Sequence, residues 1–433
     1  SPTPIHAPMA TSGKDPVVFL LGTTASGKTS LSIELCQRYG LEVVNCDSMQ
    51  IWSGIDTLSA APTPEERAGA PHHLFDILSC QDRHSLETWS VRQWEKEVET
   101  VVKAIRSRGH VPLFVGGTFY YAAYLISAGD ADSVEASQSF SGDKRKGARD
   151  THRGIRDTAP FPLHVLVLDA GDALPPRAQL RVDMMLKGEM LAEAFGVLDT
   201  YGTDVQCLGP LQAIGLKELL PAWVQCNSDI NAALAAGLTT LSEGERESDR
   251  QTLRSLWCRM VSDVLADHVP YTSLSIKGAE GVPPIVSEAG YREAQMGTQA
   301  VVAGTLRYAK SQRKWAKRLA RMVPSECVTS LSIAEGERER GMEAVRAFLA
   351  TPPALMQAPP LTRVTCDSSA VTCECGLVVP KVNLDAHKQG RKHRLVMARD
   401  QKRARDMEQK ELARLRGIEA QKQRERETAG EGA

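Results

Sequence analysis

An excess of charge of either sign is the first thing this sequence lacks. Its 52 Lys and Arg are matched by 53 Asp and Glu, for a net charge of −1. A nucleic-acid partner therefore cannot be argued from the whole chain, and any basic surface has to be local. Apolar runs long enough to span a bilayer are missing, as is an apolar signal core near the N-terminus, so no membrane partner is expected. The ten cysteines lack the spacing of a secreted disulfide framework, which favours a reducing compartment: cytoplasmic, with mitochondrion or nucleus as options. Internal repeats are absent too. What is present is length: 433 residues exceed one ordinary domain and suggest two or three.

Residues 1–16 read as a disordered leader. From 17 to 126, short aliphatic runs alternate with helical patterns. "VVFLLG", "LEVVNCDS" and "HVPLFVGG" are strand candidates, with "GKTSLSIELCQRYG" and "SLETWSVRQWEKEVETVVKAIRSRG" as the helices between them. Such alternation predicts a parallel sheet with crossover helices. Residues 127–160 are polar and aperiodic, and read as a linker or shortened insertion. "LHVLVLDA" opens a second part of the core over 161–325, within which 227–297 is weakly patterned and reads as a variable insertion. "TLRYAKSQRKWAKRLARM" is a basic amphipathic helix. Residues 326–365 read as a linker, 366–396 as a Cys/His module and 397–433 as a charged helical tail.

Gly22-x4-Gly27-Lys28-Thr29 satisfies the Walker A pattern after a strand and before a helix. Glycines let successive N–H groups turn inward as an anion nest, and the helix N-terminus adds its positive end. Gly22, Thr23, Thr24, Ala25, Ser26, Gly27, Lys28 and Thr29 are thus expected to hold a di- or triphosphate, with Lys28 as a point charge and the Thr29 hydroxyl on Mg²⁺. The pattern does not say whether the electrophile is phosphorus. Asp47 falls where the next strand should end, at the carboxyl edge at which such sheets bind ligands. On its own it reads equally as a general base, a metal ligand or a turn cap.

"GTTASGKT", "NCDSMQIW", "GAPHHLFD" and "VPLFVGGTFYYAAYL" occur here in the order and spacing of tRNA dimethylallyltransferases. "LRVDMMLKGEM", "GPLQAIGLKELLPAW" and "GTLRYAKSQRKW" resemble later motifs of that family, and "TCECGLVVPKVNLDAHKQGRKHR" resembles the zinc finger of its eukaryotic members. The resemblance covers most of residues 17 to about 395. Single motifs are modestly specific, but their order is not shared by nucleotide kinases. It implies an α/β P-loop core with a reduced helical insertion and a C-terminal C2H2-type zinc finger. A monomer is expected, although the sequence does not give the oligomeric state.

The resemblance further implies that the loop holds dimethylallyl diphosphate with Mg²⁺, and that the prenyl group goes to N6 of adenosine 37 beside the tRNA anticodon, in an A36–A37 context. Asp47 matches the family's base. Arg181 matches an arginine that reaches the diphosphate, and Thr118 a threonine at the reactive centre. Read without the family, Thr118 equally caps the helix that follows it, and Arg181 is an ordinary surface arginine. Asp47, Ser48, Met49 and Gln50, with Gln212, Gly215 and Lys217, match tRNA-contact segments, and the basic helix from Thr305 to Arg321 suits phosphate binding. Its plain reading is a solvated face with Trp315 packed inward. His72 and His73 are assigned no metal. Zn²⁺ is expected on Cys373, Cys375, His387 and His393, although C-x-C replaces the usual C-x2-C and Cys366 is an alternative ligand.

The chain departs from the family pattern in places. Only "ARDTHRGIRD" remains of an Arg-rich run, Trp52 stands for the usual Tyr, and "IDTLSAAP" and "GTLRYAKSQ" lack a lysine and displace an arginine. Two other readings therefore stay open: a catalytically impaired tRNA-binding protein, and a P-loop kinase of a small molecule.

Overall fold

Val17–Gly22 (β1) is apolar at every position and fully buried, which places it at the centre of a sheet covered on both faces. In the computed structural model, which describes residues 16–67, 69–126, 162–202, 209–235, 243–271, 285–351, 370–372 and 378–380, it forms the axis of the larger unit. The chain leaves β1 through Lys28–Tyr39 (α1) and returns as Leu41–Asn45 (β2), also wholly buried. Two short pairing segments, Trp52–Ser53 (β3) and Leu78–Ser79 (β5), flank Asp56–Ser59 (α2), Pro64–Arg67 (α3) and the edge strand His72–His73 (β4). Arg83–Thr88 (α4) and the amphipathic Val91–Ser107 (α5) lead into Val111–Gly116 (β6) and Phe119–Ile126 (α6). The heptad-like burial of Val91, Trp94, Val98, Val102 and Ile105 seats α5 on the sheet.

The second half supplies Leu163–Asp169 (β7), Leu174–Lys187 (α7), Met190–Tyr201 (α8), Leu220–Ala235 (α9), Glu243–Ala266 (α10), Glu288–Met322 (α11), Val328–Ser332 (β8) and Glu337–Ala350 (α12). The six-stranded sheet runs in the order β4-β2-β6-β1-β7-β8, with every pairing parallel. After β1 the chain first moves toward β2 and later toward β7. The carboxyl end of β1 is therefore a topological switch point, where a crevice opens above the sheet.

Two stretches differ from the sequence reading. Residues 227–297, weakly patterned in sequence, contribute the end of α9, α10 and the start of α11, with Trp257, Val261 and Ile230 buried in the main core. Packing, rather than a clean stripe, holds α10: buried residues from several helices converge on it. Residues 326–365, read as a linker, contain β8, which pairs with β7 from Val165↔Val328 to Asp169↔Ser332, and α12, which buries Met342 and Val345. An edge strand has one neighbour and one half-exposed face, so it carries little apolar signal. The shortened insertion at 127–160 lies outside the described residues.

The smaller unit shows Ala370–Thr372 (β9) pairing antiparallel with Val378–Pro380 (β10). Cys373 and Cys375 fall between these strands in the chain. They, Cys366, His387, His393 and the charged tail lie outside the described residues.

Candidate active site

The loop after β1 is shaped by Ala25 at φ 59° and Gly27 at φ 91°, left-handed conformations that reverse the chain onto the start of α1. Not all of its N–H groups are free. Thr23 N–H donates to Leu168 O at 3.1 Å, and Thr24 N–H donates to Gln312 Oε1 at 2.9 Å. An anion is thus left the N–H groups from Ala25 to Thr29 rather than the whole run from Gly22. Lys28 Nζ folds back on its own loop, donating to Gly22 O at 3.1 Å and Thr23 O at 2.8 Å. Burial pushes the Lys28 ammonium down to about 8, opposed by attraction to Asp47 and helped by repulsion from Arg181.

Asp47 stands just past β2, and buried Asn45 sets its direction. Asn45 Oδ1 accepts the Asp47 N–H at 2.8 Å, while Asn45 Nδ2 donates to Asp47 O and Leu74 O. The Asp47 carboxylate accepts the N–H of Met49 at 3.0 Å and of Gly117 at 3.2 Å, with the Thr118 hydroxyl at 3.4 Å. Thr118 Oγ1 also accepts the Ser48 N–H at 3.0 Å. Its hydroxyl thus serves the end of β2 instead of capping α6. This approach depends on Gly116: a Cβ there would collide with the Cys46 carbonyl.

Arg181, on α7, is enclosed rather than solvent-facing. Burial lowers its pKa and the Asp47 charge raises it, so the guanidinium lies within electrostatic reach of the carboxylate. Lys28, Asp47 and Arg181 therefore converge from the ends of β1 and β2 and from α7. Met49 is half-buried, and Gln50 Nε2 donates to Ser59 O and Ala60 O, which makes Gln50 a holder of its own loop. Gln212 and Lys217 are exposed, whereas Gly215 is buried at φ +119°, where a Cβ would strike Leu58. Of that trio, only the two side chains face solvent.

The residues that sequence reasoning missed lie on α11. Gln312, 3% exposed, links Thr24 N–H to Gly117 O, donating to the latter at 3.0 Å, and Tyr308 Oη donates to the same carbonyl at 3.4 Å. Their i,i+4 spacing puts both on one face. The Tyr308 ring is partly exposed, but desolvation at its hydroxyl, then the Asp47 charge, raise its pKa, so the hydroxyl stays protonated. Arg313 grips Asp169 at the end of β7 through Nε and Nη2, at 2.8 to 3.1 Å. A polar residue amid basic ones was the available signal, hidden because the segment reads as a charged face.

The outer face of α11 is basic. Arg307, Lys310, Lys314, Lys317 and Arg321 recur at three- and four-residue spacing, are exposed, and make no ion pair among the described residues. Trp315 is half-buried between them, edge-on to Tyr120, with the Arg318 guanidinium over its ring. The helix thus has an exposed basic face and a separate face on which Trp315 packs inward.

Among the described residues, no group of three or more His, Cys, Asp or Glu could hold a metal. Thr29, half-buried in the first turn of α1, is still a suitable single ligand for Mg²⁺, which is hard, keeps waters and commonly arrives with phosphate oxygens. His73 is committed elsewhere: its Nε2 meets Glu42 Oε2 at 2.7 Å.

Residues 50–154 match the family described as IPP transferase, and residues 16–75 that described as isopentenyl transferase. The tRNA dimethylallyltransferase of Koribacter versatilis is 41% identical over 151 residues, 35% of this chain and 45% of that protein. The tRNA dimethylallyltransferase of Symbiobacterium thermophilum is 35% identical over 253 residues, 48% of this chain and 77% of that protein. The chain spans less than half the length of several curated relatives it matches. A eukaryotic dimethylallyltransferase solved acting on tRNA superposes with a TM-score of 0.52 at 18% identity, over 92% of this chain and 100% of that one, which shows a shared fold. With the loop, the Asp47 corner and the matched lengths in agreement, the chain belongs to the tRNA dimethylallyltransferase family.

Proposed function

We propose that this protein transfers the five-carbon group of dimethylallyl diphosphate to the exocyclic amine of adenosine 37 in tRNA. One observation carries the reading. A carboxylate, Asp47, is fixed by backbone donors at the mouth of a phosphate loop, facing a lysine and an enclosed arginine. A phosphoryl-transfer enzyme shares the loop, but the Asp47–Thr118 corner and the family matches favour an amine acceptor.

The adenine amine is a poor nucleophile because its lone pair is delocalised into the ring. Asp47 aligns it and takes its proton as the N–C bond forms and the bond from carbon to the diphosphate oxygen breaks. Thr118 and the Gly117 N–H hold the carboxylate in place. The departing diphosphate takes up the electron pair, and the free loop N–H groups, Lys28 and Arg181 stabilise its charge. Thr29 would be a protein ligand for Mg²⁺, which would supply further charge neutralisation when bound.

The exposed cations of α11 support a path for the tRNA backbone, and single-stranded anticodon loops let a base be splayed out for reaction. Cys373, Cys375, His387 and His393, with Cys366 as alternative, are read as a zinc site that adds tRNA affinity. The β9–β10 pair on either side of the two cysteines in the chain supports that arrangement. Incubation with labelled dimethylallyl diphosphate and tRNA tests the whole reading. Label on adenosine 37 supports it, tRNA binding without transfer indicates an impaired member of the family, and phosphoryl transfer from ATP indicates a kinase.

A further inference from the structure

The one-turn helix α2 is gripped at both ends by side chains from outside it. At its amino end, Glu193 of α8 accepts the Thr57 N–H through Oε1 at 2.8 Å and the Leu58 N–H through Oε2 at 2.9 Å. At its carboxyl end, the Ser59 and Ala60 carbonyls accept from Gln50, and Ser59 O also accepts from Arg181 Nη2 at 3.4 Å. Ala60 is left-handed at φ 46° without being glycine, a strained conformation that lasts only where the surroundings enforce it. Glycines let two further segments close on α2: a Cβ on Gly215 would strike Leu58, and one on Gly188 would press on Thr57.

Ile55, the residue before α2, has no side chain that can cap it, so the cap comes from 135 and 136 residues away in sequence. This arrangement costs free energy. Glu193 is half-buried and has no cation partner among the described residues. Burial, then the nearby charge of Asp56, raise its pKa, against the hydrogen bonds from Thr57 and Leu58. What the turn presents in return is the Ser59 carbonyl, and among the described residues this is the one hydrogen bond that Arg181 makes. The rest of the guanidinium fork is left for an anion. We infer that Glu193 is a positioning residue for prenyl transfer, which caps α2 and thereby sets Arg181 where it meets the departing diphosphate. The inference rests on reading Arg181 as a diphosphate ligand, and adds the group that holds it there.

Calorimetric titration of the full chain with inorganic pyrophosphate in magnesium buffer, run as a double-mutant cycle, tests it. Glu193→Gln keeps the size of the side chain but turns one acceptor into a donor facing an N–H of α2. It is expected to weaken pyrophosphate binding about tenfold, and to lower kcat for prenyl transfer by more than it raises the KM for tRNA. In an Arg181→Ala background the same change is expected to add less than about twofold. In a Gln312→Leu background it keeps its full factor, because Gln312 reaches the loop separately, from α11. Thr57→Val removes the hydroxyl that also bonds Glu193, and is expected to show the same pattern at smaller amplitude. Should Glu193→Gln fail to fold, Thr57→Val carries the cycle. Equal losses in the two backgrounds overturn the inference, because they mark a residue that only holds the fold. Wild-type binding in both Glu193→Gln and Thr57→Val overturns it as well. If Arg181→Ala itself binds pyrophosphate at full strength, Arg181 is not a diphosphate ligand, and that reading falls together with the inference.

Discussion

Gln312 Nε2 donates to Gly117 O at 3.0 Å while its own Oε1 accepts the Thr24 N–H, so one buried amide fixes the spacing between phosphate loop and base. Gln312→Leu strands a buried N–H and a carbonyl, each costing about 1–3 kcal/mol when left unpaired. Urea unfolding is expected to show a loss of that order. Single-turnover prenyl transfer is expected to fall further than donor affinity, because misplacement affects the reacting geometry more than diphosphate binding.

Asp47→Asn keeps the size of the side chain but removes the base, and turns one of its two accepting oxygens into a donor facing the N–H of Met49 or Gly117. Prenyl transfer is expected to fall on the order of 10²- to 10⁴-fold, with tRNA affinity nearly unchanged. Full activity in this variant would remove Asp47 from the mechanism.

The ammonium of Lys28 titrates near pH 8 in the protein, against an ordinary 10.5. A bound diphosphate favours the charged form, so binding takes up a proton once the pH exceeds about 8, and donor affinity declines as pH rises from there. For stability the sign is opposite. The cost of burying the charged amine is present below pH 8 and is relieved as pH rises toward 10.5. Calorimetry in buffers of differing ionisation enthalpy reads the proton uptake directly. In Lys28→Arg, which stays charged, the uptake is expected to vanish.

The outer face of α11 carries Arg307, Lys310, Lys314, Lys317 and Arg321, all exposed. Reversing two of these charges, Lys310→Glu with Lys314→Glu, is expected to weaken tRNA binding. Its dependence on log salt should flatten by roughly 0.7–0.9 for each phosphate that is no longer neutralised. Affinity for dimethylallyl diphosphate should not move. An unchanged salt slope would remove this face from the tRNA path.

Glu42, 1% exposed on β2, is held by Arg108 through Nε at 3.0 Å and Nη2 at 2.6 Å, and by His110 and His73. Burial pushes its carboxyl up, but the bonds from Arg108, His73 and His110 outweigh it and bring the pKa to about 2, from 4.5. A lowered folded-state pKa contributes stability above pH 4.5 that is lost as the pH falls toward 2, worth ~3 kcal/mol. Glu42→Gln is expected to destabilise by about 1–3 kcal/mol, since the exposed Arg108 guanidinium can be hydrated, and to flatten the acid limb of the unfolding curve.

The sequence by itself determined the phosphate loop, the strand–helix alternation and the position of Asp47, because these depend on local signals: glycines at fixed offsets, apolar runs and a carboxylate at a strand tip. Only the tertiary structure decided what the later segments do. Gln312 and Arg313 read as part of a basic helix until its inner face meets Gly117 and Asp169, 195 and 144 residues away in sequence. Thr118 could cap a helix or serve a neighbouring strand, and only the approach of Gly116 to Cys46 chooses the second. Edge strand β8 and buried α10 draw their stability from neighbours distant in the chain, which leaves no periodic trace in their own residues.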